Sequence, residues 1–276
     1  MICGGGSFPP AVAEAAARRG RLPVIFALKG WADPKWVEQY RHHWMAVGQL
    51  GRFLRLADAE RCREVVIIGT LLRPPLSQIR LDWRTLRLFP RIARSFRGGD
   101  NRLLSAVASM IEEGGVRVVG VEEVAPEIIV AEGVLGRQQP TARDRADIVQ
   151  ALKLMSALDS FDVGQAAVVA GNNVLAIEAA EGTDAMLARI AELRRQGRVT
   201  TPAGVGVLVK APKRSQDRRI DLPAIGGQTV EGVARAGLAG LAVAAGGTII
   251  AEAAAVTAAA DRAGIFLLGV REDAPR

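Results

Sequence analysis

"MICGGGSFPPAVAEAAARRG", residues 1–20, decides the fold. An apolar start, a glycine triplet and two prolines opening an alanine-rich stretch read as strand, tight turn and helix. Proline suits a first helical turn because its φ is already set and the N–H it lacks would have no partner there. The strand is only about three residues long against a usual length of about 5–6, so residues are expected upstream of Met1. Outward from this unit the pattern repeats. "LPVIFAL" (22–28) reads as a buried strand, "WADPKWVEQY" (31–40) as a short helix, "HHWMAV" (42–47) as a strand and "GRFLRLADAERC" (51–62) as a helix. "EVVIIGTL" (64–71), "RLLSAVASMIEEGG" (102–115) and "VRVVGV" (116–121) follow as strand, helix and strand. Short runs rich in Val and Ile alternating with helices predict an α/β protein opening on a Rossmann-like, doubly wound parallel sheet.

Pro126, Gly133, Gly136 and Pro140 punctuate the next stretch and separate two halves of different composition. The expected organisation is an N-terminal domain over 1–125, a linker over 126–142 and a second α/β domain over 143–276. In the second half, "RADIVQALKLMSALDSF" (145–161) is helical. "DVGQAAVVAGNNVLAIEAAEGTDAM" (162–186) carries two strands around a Gly-Asn-Asn turn, the strongest hairpin signal in the chain. A helix over 184–196 follows, with Thr183 or Asp184 as its cap. "VGVLVKAP" (205–212) and "GIFLLGV" (264–270) read as strands.

Composition narrows the chemistry. With 49% apolar and 24% charged residues in 276, the chain is globular. Cys3 and Cys62 are its two cysteines, which points to reduced thiols in a cytosolic protein rather than a disulfide framework. The two histidines, His42 and His43, are adjacent, which excludes most zinc centres and most histidine-activated nucleophiles. Hydrolysis would fall to carboxylates, lysines or a hard metal ion. The net charge of +7 favours an anionic partner. Few aromatics are available to stack on bases, and no nucleic-acid module is recognisable, so nucleic acid is not expected. No signal peptide and no apolar run of ~20 residues is present. Arg80, Arg84, Arg87, Arg91, Arg94 and Arg97 fall close to one helical face, with Ile79, Trp83, Leu86, Phe89, Ile92 and Phe96 largely off it. That is the pattern of a basic amphipathic segment resting on an anionic membrane surface, or of a solvated helix face.

Three stretches carry candidate chemistry. "GGGSFP" (4–9) offers Gly4, Gly5, Gly6 and Ser7 at a helix start, suited to a phosphate or simply to a tight turn. It is not GxGxxG, and no acidic residue ends the second strand, so a nicotinamide site has little support. "AIEAAEGTDAM" (176–186) spaces Glu178, Glu181 and Asp184 around Gly182 and Thr183. These carboxylates suit a magnesium ion; alternatively Glu178 meets a buried arginine and Asp184 is a cap. "KAPKRSQDRRIDLP" (210–223) sets Asp217 and Asp221 among Lys210, Lys213 and three arginines, either as a site for metal and phosphate or as a charged hairpin.

Together "GGGSFP", the 162–186 stretch, "LVKAPKRSQDRRIDLPAIGGQT" (208–229), "AGLAGLAVAAGGTII" (236–250) and "ADRAGIFLLG" (260–269) resemble the LpxI family of UDP-2,3-diacylglucosamine pyrophosphatases. The resemblance covers essentially the whole chain. It implies a Rossmann-like N-terminal domain and a catalytic C-terminal α/β domain, 143–276, of family-specific fold. It also implies Mg²⁺-dependent hydrolysis of UDP-2,3-diacylglucosamine to UMP and 2,3-diacylglucosamine 1-phosphate (lipid X), with water attacking the sugar-side phosphorus. Members work as homodimers, peripheral on the cytoplasmic face of the inner membrane. The family's essential aspartate corresponds to Asp221. Lys210 is expected to join it in catalysis. Gly4, Gly5, Gly6, Ser7, Gln165, Gly182, Thr183 and Lys213 are expected to bind substrate, and Asp221, Asp217, Glu178 and Asp184 to supply metal ligands. The rival readings are a non-catalytic nucleotide- or lipid-binding Rossmann-like protein, and an oxidoreductase using the Gly-rich turn.

Overall fold

The opening strand–turn–helix forms as expected, and the first half of the chain is built around it. In this computed structural model, residues 1–71, 79–88, 100–161, 163–214 and 216–271 are described. They divide into two units: Met1–Glu127 with Asp217–Asp221, and Ile128–Gln216 with Leu222–Arg276.

In the first unit, β1 (Ile2–Cys3), α1 (Phe8–Arg18), β2 (Val24–Leu28), α2 (Pro34–Val37), β3 (Arg41–Met45), α3 (Leu50–Ala59), β4 (Glu64–Val65) and β5 (Ile67–Ile68) follow in order. Then come α4 (83–88), α5 (Asp100–Glu112), β6 (Arg117–Val118) and α6 (Val121–Val124). The sheet runs β3-β2-β1-β5, every pairing parallel. The run read as one strand over 64–71 serves two partners: β5 pairs β1, while β4 pairs β6 in parallel. Phe26 and Phe53 meet edge to face at 4.9 Å and pack with Met45, Leu54, Ile111 and Val118 as the core of this face.

The glycine triplet is demanded by backbone crowding. Gly5 and Thr70 exchange main-chain hydrogen bonds of 2.9 and 2.8 Å, and a Cβ on Gly5 would stand 2.9 Å from the Trp31 carbonyl oxygen. Gly6 has φ +93°, a conformation open to glycine at little cost. Ser7 caps α1 by position, but its exposed hydroxyl makes no capping bond.

The second unit contains β7 (Gly133–Val134), α7 (Ala142–Leu158), β8 (Ala166–Ala170), β9 (Asn173–Ile177), α8 (Gly182–Arg195), β10 (Val207–Lys210) and β11 (Ala224–Ile225). It continues with α9 (Gly227–Arg235), β12 (Gly240–Ala244), β13 (Ile249–Ile250), α10 (Ala253–Ala263) and β14 (Phe266–Val270). Its six-stranded sheet runs β7-β14-β12-β10-β8-β9; β10, β12 and β14 are parallel and the other three strands antiparallel to their neighbours. Side chains alternate across the pleat. Val168, Leu208, Leu241 and Leu267 therefore meet Met186, Leu187, Val230 and Val256 of α8, α9 and α10. Val169, Val207, Val209 and Phe266 meet Ile148 and Ala151 of α7 on the opposite face.

The expected hairpin is β8–β9. Its turn residues Gly171 and Asn172 have φ +58° and +66°, the type I′ geometry that matches strand twist. Asp147 of α7, 1% exposed, accepts both turn amides at 2.9 and 2.7 Å. No helix among the described residues is long and apolar enough to cross a membrane.

Candidate active site

Lys210 is placed by the sheet. It ends β10 in the same alternation as Leu208, so its side chain emerges on the α8 face at the carboxyl end of a parallel strand, where α/β sheets commonly bind ligands. The residue is 8% exposed. Its ammonium donates to Thr183 Oγ1 and to the Ala224 carbonyl, each at 3.0 Å. Thr183 hands its own proton on to Glu178 Oε1 at 2.7 Å, and Glu178 Oε2 accepts from the Gln165 amide at 2.7 Å. A buried cation, a hydroxyl, a carboxylate and a backbone amide thus form one continuous chain of hydrogen bonds. Such a chain offsets the cost of burying charge. Gly164 is part of the arrangement, because a Cβ there would collide with the Glu178 side chain.

Thr183 was expected as a possible cap for α8, and it is not one. The helix begins at Gly182, one residue earlier, and Glu181 stands at the cap position without a side-chain capping bond. The hydroxyl is taken by Lys210 and Glu178 instead. Gly182 and Thr183 still form the first turn of α8, where free N–H groups and the helix dipole favour an anion. The neighbouring acids go elsewhere: Glu181 pairs with Arg189 at 2.9 Å, and Asp184 is exposed.

Beyond Lys210 the chain turns sharply. Lys213 donates its amide to the Gln216 side chain at 3.0 Å, and the Arg214 amide reaches Asp159 at 2.9 Å. Asp217 to Asp221 then belong to the first unit. The amides of Ile220 and Asp221 both donate to the Asp217 carbonyl, at 3.0 and 3.2 Å, closing a tight turn. The Asp217 carboxylate is gripped by Arg219: Nε to Oδ1 at 3.0 Å, Nη2 to Oδ2 at 2.8 Å, and the Arg219 amide to Oδ1 at 3.1 Å. These bonds from Arg219 hold the Asp217 carboxyl below its ordinary value. Arg219 also meets Glu112 Oε1 at 2.8 Å.

Of the expected site residues, Gln165, Glu178, Thr183 and Lys210 are brought together in the second unit. Asp217 and Asp221 share a turn in the first, as do Gly4, Gly5, Gly6 and Ser7 at the start of α1. Among the described residues no three histidine, cysteine or carboxylate side chains gather as a metal-holding group. Glu112 went unnoticed in the sequence; it lies 107 residues from Arg219 and has no local signal.

On the surface of the first unit, Asp82 caps α4 through the Thr85 amide at 2.9 Å and accepts the Arg52 amide of α3 at 2.8 Å. Around this anchor Arg80, Arg84 and Arg87 are exposed, and so are Leu81, Trp83 (68%) and Leu86. Arg87 lies 5.3 Å over the Trp83 ring. Both the basic and the apolar side chains of this short stretch meet solvent. Arg91, Arg94 and Arg97 lie outside the described residues, as do Phe89, Ile92 and Phe96.

A two-unit α/β protein with a buried lysine, hydroxyl and carboxylate at a helix start has the makings of an enzyme acting on an anionic group. This chain belongs to the LpxI family: the profile of the LpxI N-terminal domain matches residues 1–128 and that of the C-terminal domain 131–268. It is also 39% identical, over 98% of its own length and 96% of the relative's, to UDP-2,3-diacylglucosamine pyrophosphatase LpxI of Caulobacter vibrioides.

Proposed function

We propose that the protein hydrolyses the pyrophosphate bond of UDP-2,3-diacylglucosamine, releasing UMP and 2,3-diacylglucosamine 1-phosphate, with water attacking the sugar-side phosphorus. The observation that carries this reading is Lys210: a buried ammonium beside the first turn of α8, joined to Glu178 through Thr183. A diphosphate needs fixed positive charge and oriented donors for the charge that develops on its oxygens, and both are present before any substrate arrives. Family membership and the named relative supply the substrate class. The parallel order β3-β2-β1-β5 supports a Rossmann-like reading of the N-terminal domain, with Gly4, Gly5, Gly6 and Ser7 lying where a phosphate would meet α1.

Magnesium fits this donor set in a limited way. The ion uses one or two carboxylates and completes its shell with water and substrate phosphate. Asp221 suits that role. Asp217 directs both oxygens to Arg219, and Glu178 directs its two oxygens to Thr183 and Gln165, so these acids orient neighbours. Asp184, exposed at the start of α8, is the remaining acid of the set. When bound, the ion would supply charge neutralisation and a more acidic water. Asp221 holds the ion or the attacking water, Lys210 neutralises phosphoryl oxygen, Lys213 and Gln165 orient substrate, and the Glu178–Thr183 pair fixes the lysine. The exposed Trp83, Leu81 and arginines of α4 suit peripheral contact with an anionic inner-membrane surface from the cytoplasmic side, and the family resemblance adds a homodimer.

The test is incubation with UDP-2,3-diacylglucosamine, with and without Mg²⁺, in H₂¹⁸O. UMP release only with Mg²⁺, and ¹⁸O in the lipid phosphate, is expected. Label in UMP would overturn the point of attack, and binding without turnover would make the protein a carrier. Asp221→Ala is expected to lower kcat by about 10²–10⁴-fold or more with the fold intact; near-normal turnover would remove Asp221 from the chemistry.

A further inference from the structure

Asp221 sits at the end of a turn that Arg219 ties to the rest of the first unit. The Asp221 amide hangs on the Asp217 carbonyl, the Asp217 carboxylate is forked by Arg219, and Arg219 extends Nη1 to Glu112 Oε1 at 2.8 Å and to the Val118 carbonyl at 3.4 Å. Ile220, between them, packs against the core around Phe26 and Val118. Glu112 ends α5, where the helix dipole disfavours an acid, so its presence there calls for a cation opposite. A planar guanidinium can fork one carboxylate while reaching a second acid and a carbonyl; the point charge of a lysine cannot.

We infer that Arg219 is a positioning residue: it clamps the 217–221 turn to the end of α5 and to β6 and so fixes where the Asp221 carboxylate stands. The inference rests on the reading of Asp221 as the residue that holds metal or water. Glu112 becomes part of the support of the reaction although it touches no substrate. A misplacement of about 1 Å in such a group costs about 10²-fold in rate, and loss of a supporting partner typically costs about 10–100-fold.

The experiment compares Arg219→Ala, Arg219→Lys, Glu112→Gln and Asp221→Ala with the parent protein. It reads kcat and KM on UDP-2,3-diacylglucosamine, thermal unfolding, and hydrogen exchange at the Ile220 and Asp221 amides. Arg219→Ala is expected to lower kcat about 10²-fold with KM little changed, and to expose both amides to faster exchange. Arg219→Lys restores neither, because charge without the fork is insufficient. Glu112→Gln, a change at the partly exposed end of a helix, gives a smaller loss of kcat in a folded protein and keeps the question answerable if Arg219→Ala does not fold. Parent-like kcat and exchange in Arg219→Ala, or full recovery in Arg219→Lys, would overturn the clamp. If Asp221→Ala keeps full activity, the assignment of Asp221 fails and the catalytic consequence of the clamp with it. If Asp221→Ala is dead while Arg219→Ala is active and protected, the clamp alone fails.

Discussion

Thr183 answers to two partners at once. Its hydroxyl accepts from Lys210 and donates to Glu178, so removing it leaves a buried ammonium and a buried carboxylate each short of a hydrogen bond. Leaving such a group unsatisfied costs about 1–3 kcal/mol, more for charged groups. Thr183→Val, equal in shape but without the hydroxyl, is expected to lower stability by roughly 2–3 kcal/mol and to reduce kcat. Thr183→Ser is expected to restore both. Urea unfolding and steady-state kinetics on the pair check this; a Val variant as stable and active as the parent would make the hydroxyl incidental. The same residue marks a limit of sequence reading. Threonine before a helix reads as a cap, and only tertiary neighbours, one of them 27 positions away, divert it.

Among the elements, the β8–β9 hairpin was fully legible because its cause is local. Gly-Asn between two Val-rich runs specifies a turn with two positive φ values, and no distant residue is needed to predict it. Asp147, which holds the turn from α7, carried no signal. Asn172→Val is expected to destabilise the second unit by about 1–2 kcal/mol, the cost of the left-handed region for a residue with a Cβ, whereas Asn172→Gly is near neutral. Denaturant titration of both variants is the check, and equal midpoints would contradict the turn assignment. The parallel strands and most helices were legible from Val/Ile runs alternating with helical periodicity. The splitting of 64–68 between β1 and β6 was not, because both partners lie outside any local window. Nor was the anchor at Asp82, which caps α4 and accepts an amide of α3 from 30 positions away.

For the whole molecule, charge and exposed apolar surface make a joint prediction. With a net charge of +7 and Trp83, Leu81 and Leu86 exposed beside Arg84 and Arg87, co-sedimentation with anionic vesicles is expected at low salt and to weaken as salt rises. Arg84→Glu with Arg87→Glu is expected to reduce it strongly, and Trp83→Ala moderately, with kcat on a soluble short-chain substrate unchanged. Binding that ignores all three changes would detach α4 from the membrane. At this scale the candidate site was half legible. Residue types and stretches were evident from "KAPKRSQDRRIDLP" and "AIEAAEGTDAM"; the grouping that puts Thr183 on Lys210, and Arg219 on Glu112, depends on long-range packing.

The first unit contains Asp217–Asp221 as well as Met1–Glu127, and that has a consequence for biogenesis. Emerging from the ribosome, residues 1–127 form a nascent unit with one piece still unmade. Roughly ninety more codons must be read before that piece exists, on the order of ten seconds at about 5–20 residues per second. Until then the Arg219 guanidinium that meets Glu112 does not exist, and Ile220 is missing from the core. The earliest-made part of the chain is thus expected to complete its fold only late in translation, and cutting the gene at codon 127 to obtain a free-standing domain would discard its last stitch.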